Sequence, residues 1–395
     1  MAADARTSPA EAAQPRRRIA LVHDWLTGMR GGERVLEVLC ERYPDAELFT
    51  LLHVRGSVSP TIERHRIHTS ALQYLPGVRH YYRECLPIFP MLVEQFVLER
   101  FDLVISTSHC VVKSVITRPD AVHICYCHTP MRYAWDQFDA YFGAERIGRA
   151  GNLAMRGVMA RLARWDCATA DRVDRYLTNS QHVAGRIRRY YNREAIVVYP
   201  PVDTDFFHPD SAVPERRVLM VSALVPYKRL DVAIEACRRA RVPLTIVGTG
   251  PDRARLEQRA AAARVDGADV EFLGRQSDEL IRDLYRRCAV TLMTGEEDFG
   301  IVPVEAQACG RAVVALGRGG ARETVVAGET GILVDEPTAD AFADAVSRAL
   351  DQRFDAAAIR RNAERFSRAR FGDAITQVVA DTVEAARAGE SIVPR

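Results

Sequence analysis

The chain has 395 residues, of which 48% are hydrophobic, 27% charged and 8% aromatic, a balance of globular proteins rather than of disordered, fibrous or membrane-embedded chains. The formal charge of +2 excludes the overall basic field that draws a protein onto nucleic acid, so no nucleic-acid partner is expected. Nine cysteines, odd in number and without C-x-x-C spacing, predict reduced and mostly buried thiols rather than a disulfide framework or zinc site. Length predicts two domains.

Residues 1–17 are rich in Ala, Pro and polar side chains and are predicted to be a disordered tail. The apolar run after them is too short for a signal-peptide core, and no stretch reaches the roughly 20 apolar residues of a membrane span. A cytoplasmic location is expected, with peripheral attachment to the inner face of the cytoplasmic membrane left open. Among 54 basic residues only Lys113 and Lys228 are lysine, which singles both out.

Short β-branched runs alternate with helical patterns, as in parallel βαβ units. Strands are predicted at 19–22, 103–106, 122–126, 175–178 and 196–198. The series pauses near Pro200-Pro201-Val202-Asp203 and restarts at 218–221, 244–247, 270–273, 290–293, 312–315 and 331–334. The predicted fold is α/β, with two doubly wound Rossmann-like domains over 18–205 and 206–372 facing a central cleft. A C-terminal helix at about 373–390 is expected to return to the first domain. Open parallel sheets bind ligands at the carboxyl ends of their strands, so the ligand belongs between the domains.

After the first strand, Gly31 and Gly32 let backbone N–H groups approach a ligand without an intervening Cβ. The dinucleotide pattern G-x-G-x-x-G is absent here and at 248–253, which argues against a nicotinamide-dependent oxidoreductase. Residues 80–98 carry an apolar series that is either core or a surface for a lipid carrier. His109 and Lys113 follow a strand and are candidates for the acceptor side. His128, in the loop after the next strand, is a candidate active-site residue. Between Phe142 and Trp165 five arginines face one acid, Glu145, along an amphipathic pattern, which suits either an anionic membrane surface or packing on the first sheet. Asp203-Thr204-Asp205 imitates a D-x-D metal motif but sits at the linker and reads as a turn. No metal is expected.

In the second half, Lys228 lies in Val221-Ser222-Ala223-Leu224-Val225-Pro226-Tyr227-Lys228, after a strand, where a compact ammonium can meet a phosphate. The segment from Gly295 to Gly310 reads as a strand exit, a glycine, and a helix with proline in its first turn. Such a helix aims free N–H groups and its positive dipole end at the cleft. Glu297 precedes that helix and Glu305 lies inside it, seven residues intervening. By pattern alone they are either a functional pair or solvated charges.

Glu297 to Gly310 resembles the donor-site motif of retaining glycosyltransferases of family 4, which have the GT-B fold. The resemblance implies that Glu305 binds the ribose hydroxyls of a nucleotide sugar and that Glu297 sits beside the transferred sugar. It places Phe299, Gly300 and Ile301 against sugar and diphosphate, Lys228 on the diphosphate, and Gly31-Gly32 on the same group from the other domain. His128 matches a histidine next to the transferred sugar, and Phe272-Leu273-Gly274-Arg275 matches the stretch that reads the nucleobase edge. Glu323 is a weaker structural or donor-side candidate. At Ala223 the chain departs from an arginine common in the family, so either Lys228 and the helix dipole suffice or another arginine enters, from Arg229 or from the first domain.

The stretches 23–34 and 127–136 look most like bacterial mannosyltransferases of surface-polysaccharide assembly. The implied reaction moves mannose from GDP-mannose, or a hexose from a UDP-sugar, to a hydroxyl of a lipid-linked glycan, with retention and without cofactor or metal. A catalytically silent nucleotide-sugar-binding protein is the other reading.

Overall fold

The computed structural model describes residues 17–136, 138–262 and 268–390; the side chains of 140, 141 and 144–147 also lie outside the description. The predicted tail thus falls outside it, apart from residue 17.

The first sheet holds β1 (Ile19–His23), β2 (Glu47–Thr50), β3 (Arg66–Thr69), β4 (Leu103–Ser108), β5 (Val122–Cys127), β6 (Arg175–Thr178) and β7 (Ala195–Val197), in the order β3-β2-β1-β4-β5-β6-β7. The second holds β8 (Glu215–Val221), β9 (Leu244–Val247), β10 (Val270–Gly274), β11 (Cys288–Met293), β12 (Ala312–Leu316) and β13 (Gly331–Val334), in the order β10-β9-β8-β11-β12-β13. Both are doubly wound parallel sheets. The strands read from sequence are all present; β2 and β3 are additional, and β3 is a partly exposed edge strand of mixed polarity.

Register explains why the candidate residues converge. His23 pairs with Thr107, and Thr107 with Tyr126, so β1, β4 and β5 end level and their loops emerge side by side. In the second sheet Met293 pairs with Ala315 and Val290 with Val218, which brings together the loops after β8, β11 and β12.

The chain passes to the second domain after β7 and comes back at its end. Val202 N–H donates to the Phe366 carbonyl at 2.8 Å, and Val202 bridges to Ser367. Helix Arg368–Arg387 then buries Phe371, Ile375, Val379 and Val383 in the first domain's core, beside Leu21, Val35 and Leu36.

Residues 80–98 divide their roles: Tyr82, Leu86, Phe89 and Leu92 join the core, whereas Ile88 and Met91 are 41% and 55% exposed. Helix Ala144–Ala168 is interrupted at Gly148, whose φ is 72°. It buries Met159 and Leu162 in the first domain's core and exposes Arg149, Arg156, Arg161 and Arg164. The side chains of Glu145 and Arg146 lie outside the described set. The apolar face is packed inward apart from Leu153, which is 73% exposed, so a membrane contact would use the arginines together with Leu153. At the linker, Asp203 Oδ1 accepts the Phe206 N–H at 3.0 Å, closing a turn.

Candidate active site

The second domain's wall is built by backbone stacked on backbone. A Cβ at Gly295 would lie 2.6 Å from the Tyr227 carbonyl oxygen, and Cβ atoms at Gly319 and Gly320 would come within 2.2 Å of Glu297 O and 2.3 Å of Phe299 Cα. Only glycine permits these approaches. Thr294 Oγ1 donates to the carbonyls of Lys228 and Arg229 at 2.9 Å, pinning the Lys228 loop to the end of β11.

Helix Ile301–Ala308 starts after Gly300, which sits at φ 91° and has no side chain to cap the N-terminus. Its first N–H groups and positive dipole end face the cleft, and among the described residues no side chain caps them. Glu297, ahead of it, forms an ion pair with Lys228. Burial lowers the Lys228 ammonium to about 7; Arg132 adds to the shift and Asp298 opposes it. Burial also pushes the Glu305 carboxyl up to about 7, against the pull of Arg34 and of the Tyr285 hydroxyl, which donates to Glu305 at 3.1 Å.

The first domain faces this wall at contact distance. A Cβ on Gly31 would lie 2.7 Å from Ile301 Cδ1, and one on Gly32 would lie 3.6 Å from His128 Nε2. The paired glycines thus sit against the helix N-terminus on one side and His128 on the other. Burial, with His109 and His23 nearby, holds His128 well below the usual imidazole range, so it is neutral. His128 Nε2 is buried and has no protein hydrogen-bond partner. The His109 ring centre is 6.3 Å from that of His128, and its Nδ1 lies 3.2 Å from Asp24. Asp24 also accepts the backbone N–H groups of His109, Cys110, Val111 and Val112 at 2.7 to 3.1 Å, fixing the loop that carries His109.

Other candidates lie elsewhere. Lys113, expected on the acceptor side, is 1% exposed and points into the first domain. Its ammonium donates to the Asp166 carbonyl at 2.6 Å, pairs with the Asp166 carboxylate at 3.1 Å and lies 4.6 Å from the Tyr191 ring centre. With these partners, it is a core cation and not a cleft residue. Arg229 is paired with Asp231 at 3.1 Å, and Arg275 is exposed just beyond β10.

The sequence reading missed the charged bridges between domains. Arg34 reaches Asp278 at 2.6 Å. Arg132 pairs with Asp298, which also takes Arg186 at 3.0 Å, and Arg186 holds Asp136 at 2.6 Å. His182 lies 3.6 Å from Glu296. Glu323 accepts the N–H groups of Gln181 and His182, so a second-domain carboxylate caps helix Gln181–Tyr191 of the first. Beside Glu297 a cavity of about 480 Å³ opens, lined among others by Arg132, Asp136, Arg186, Tyr190 and Tyr227. Arg132 and Asp298 lie inside motif stretches and could have been flagged there; Arg186 sits on an ordinary amphipathic helix with no such signal.

These features agree with what the chain is similar to. Residues 29–206 match the model of Glycosyltransferase Family 4, and residues 202–366 match that of Glycosyl transferases group 1. The D-inositol 3-phosphate glycosyltransferase of Acidothermus cellulolyticus is 36% identical over 215 residues, covering 47% of this chain and 48% of that protein. The chain spans about half the length of the curated relatives it matches. Among solved structures, Anabaena HepE in complex with UDP aligns with a TM-score of 0.67 at 17% identity, over 92% of this chain and 100% of that one. Sucrose-phosphate synthase from Thermosynechococcus elongatus aligns with a TM-score of 0.68 at 18% identity, over 94% and 100%. The chain thus joins a glycosyltransferase family 4 domain to a glycosyl transferases group 1 domain in a single GT-B fold.

Proposed function

We propose that the protein is a retaining glycosyltransferase that takes a hexose from a nucleoside-diphosphate sugar, GDP-mannose first and a UDP-hexose second, and passes it to a hydroxyl of a lipid-linked glycan. One observation carries this reading: Lys228, Glu297, Glu305 and the uncapped helix start after Gly300 share one wall, with Gly31 pressed against Ile301 from the opposite domain. Glu305 accepts the two ribose hydroxyls, for which an ionised, acceptor-only carboxylate is suited. The helix N-terminus and Lys228 neutralise the diphosphate, and His128 and Glu297 flank the sugar.

In the transfer step the bond from the sugar's anomeric carbon to the diphosphate oxygen breaks while a bond to the acceptor oxygen forms on the same face. The acceptor's proton passes to the departing diphosphate oxygen, which makes a strong protein base unnecessary. Neither a metal nor a cofactor takes part in this scheme. The UDP complex of Anabaena HepE favours the second donor choice, and the named activity of the Acidothermus relative makes a phosphorylated cyclitol a further acceptor to test.

No helix among the described residues is long and apolar enough to cross a membrane. We place the enzyme in the cytoplasm, at the inner face of the cytoplasmic membrane, through the exposed arginines of helix Ala144–Ala168. Thermal unfolding with a panel of GDP- and UDP-sugars tests the donor: ligand at 100 times Kd stabilises by roughly 2.7 kcal/mol. Failure of every nucleotide sugar to raise Tm would reject the reading.

A further inference from the structure

The wall that the second domain turns to the cleft is anionic. Glu296, Glu297, Asp298 and Glu305 stand in or just ahead of helix Ile301–Ala308. Two cations of the same wall are already engaged, Lys228 by Glu297 and Arg229 by Asp231. A diphosphate adds its own negative charge to this wall, and the facing domain stands close enough to bring further cations to it.

Three arginines of that domain reach over, and Arg34 is taken by Asp278 at 2.6 Å. Arg186 is held on both sides, by Asp298 at 3.0 Å and by Asp136 of its own domain at 2.6 Å. Arg132 lies four residues after His128, pairs with Asp298, and has its guanidinium carbon 6.0 Å from the ring centre of Tyr227, the residue before Lys228. Its charge is felt at the Lys228 ammonium, where it is the largest cause after burial. The guanidinium therefore already stands next to the phosphate-facing lysine, in the planar form that engages phosphate oxygens in pairs.

We propose that Arg132 is the second cation of the diphosphate site, delivered by the opposite domain. Asp298 holds it across the cleft, and the incoming diphosphate takes the guanidinium over. Asp298 keeps Arg186, so the exchange does not strand a buried carboxylate. Donor binding and domain closure then become one event, because the ligand bridges residues from both sides. The proposal rests on the nucleotide-sugar reading above.

Calorimetric titration of GDP, GMP, UDP and UMP into wild type, Arg132→Lys and Arg132→Gln tests it. The Gln variant should lose about tenfold or more in affinity for the preferred diphosphate, while its monophosphate affinity stays within about twofold; Lys should restore part of the loss by charge without the fork. Equal losses for mono- and diphosphate would show that Arg132 acts only by closing the domains, and an unchanged diphosphate affinity would show that it does not touch the ligand; either overturns the proposal. Wild type that binds none of the four nucleotides is a separate result, which overturns the nucleotide-sugar reading itself.

Discussion

The carboxylate of Glu323 accepts the backbone N–H of Gln181 at 2.9 Å, although the two residues belong to different domains. It accepts the His182 N–H at 3.2 Å as well, so a helix start in one domain is capped from the other. Glu323→Ala should cost closure about 1 kcal/mol, a roughly fivefold loss in donor affinity if only the closed form binds tightly. Small-angle scattering should show a larger radius for the variant, with the difference reduced by saturating nucleotide. Wild-type radius and affinity would return Glu323 to a merely local role.

Glu305→Ala should weaken donor binding by about 1.5–3 kcal/mol, the worth of hydrogen bonds to a charged acceptor. Glu297→Ala should lower turnover more than affinity, since its proposed role is beside the sugar. Steady-state kinetics together with direct binding separates the two; unchanged constants in both variants would end the assignment.

Donor affinity should pass through a maximum near neutral pH. Glu305 has its carboxyl at about 7 and must be ionised to accept two ribose hydroxyls, so affinity falls as pH drops below that value. Lys228 has its ammonium at about 7 and must be protonated to meet the diphosphate, so affinity falls as pH rises above it. Glu305→Gln should erase the acid limb. Lys228→Arg should erase the alkaline limb while weakening binding and transfer overall, because the bulkier guanidinium does not fit the place of the ammonium. Titration of an intact nucleotide sugar, whose own charge is constant over this range, reads both limbs; a flat wild-type profile would contradict the assignment.

Lys113→Met should destabilise the fold without reaching the cleft. Removing the ammonium leaves the Asp166 carboxylate, which is fully buried, without its cation, and breaking a buried pair costs about 3–5 kcal/mol. Thermal unfolding measures the loss. Nucleotide affinity of the folded fraction should equal that of wild type, and a selective loss of transfer at unchanged Tm would put Lys113 back at the acceptor.

Vesicle sedimentation tests the membrane contact. Exposed Arg149, Arg156 and Arg164 should bind anionic vesicles at low salt, at about 1 kcal/mol per residue near the surface, and release them as salt rises. Replacing the three by Gln should reduce sedimentation and leave donor binding intact. Absence of vesicle binding by folded wild type would reject surface docking.

What the sequence disclosed follows from what each residue does locally. Strand Ala312–Leu316 is buried along its whole length and appears as an unbroken apolar run. Edge strand Arg66–Thr69 leaves no such trace. Gly31, Gly300 and Glu305 are legible because a backbone approach or a helix start demands a particular residue at a fixed offset. The bridges Arg34 to Asp278, Arg132 to Asp298 and Glu323 to Gln181 join positions 244, 166 and 142 residues apart, and only the assembled domains bring them together. The scarcity of lysine drew attention to two residues at once; their partners separate Lys228, paired with Glu297 at the cleft, from Lys113, paired with Asp166 in the core.

Two passages of chain link the domains, and they lie side by side where Val202 meets Phe366 and Ser367. A pair of parallel straps joined by a hydrogen bond behaves as a flexure: it bends readily about one axis and resists both twist and lateral slip. If the domains part, these two passages favour a hinge at Val202 over a twist, and Gly31 would leave Ile301 along an arc. The second strap is anchored by Phe371 and Ile375, whose helix is embedded in the first domain. Cutting the chain ahead of Arg368 would release one strap and leave the hinge with a loose pin.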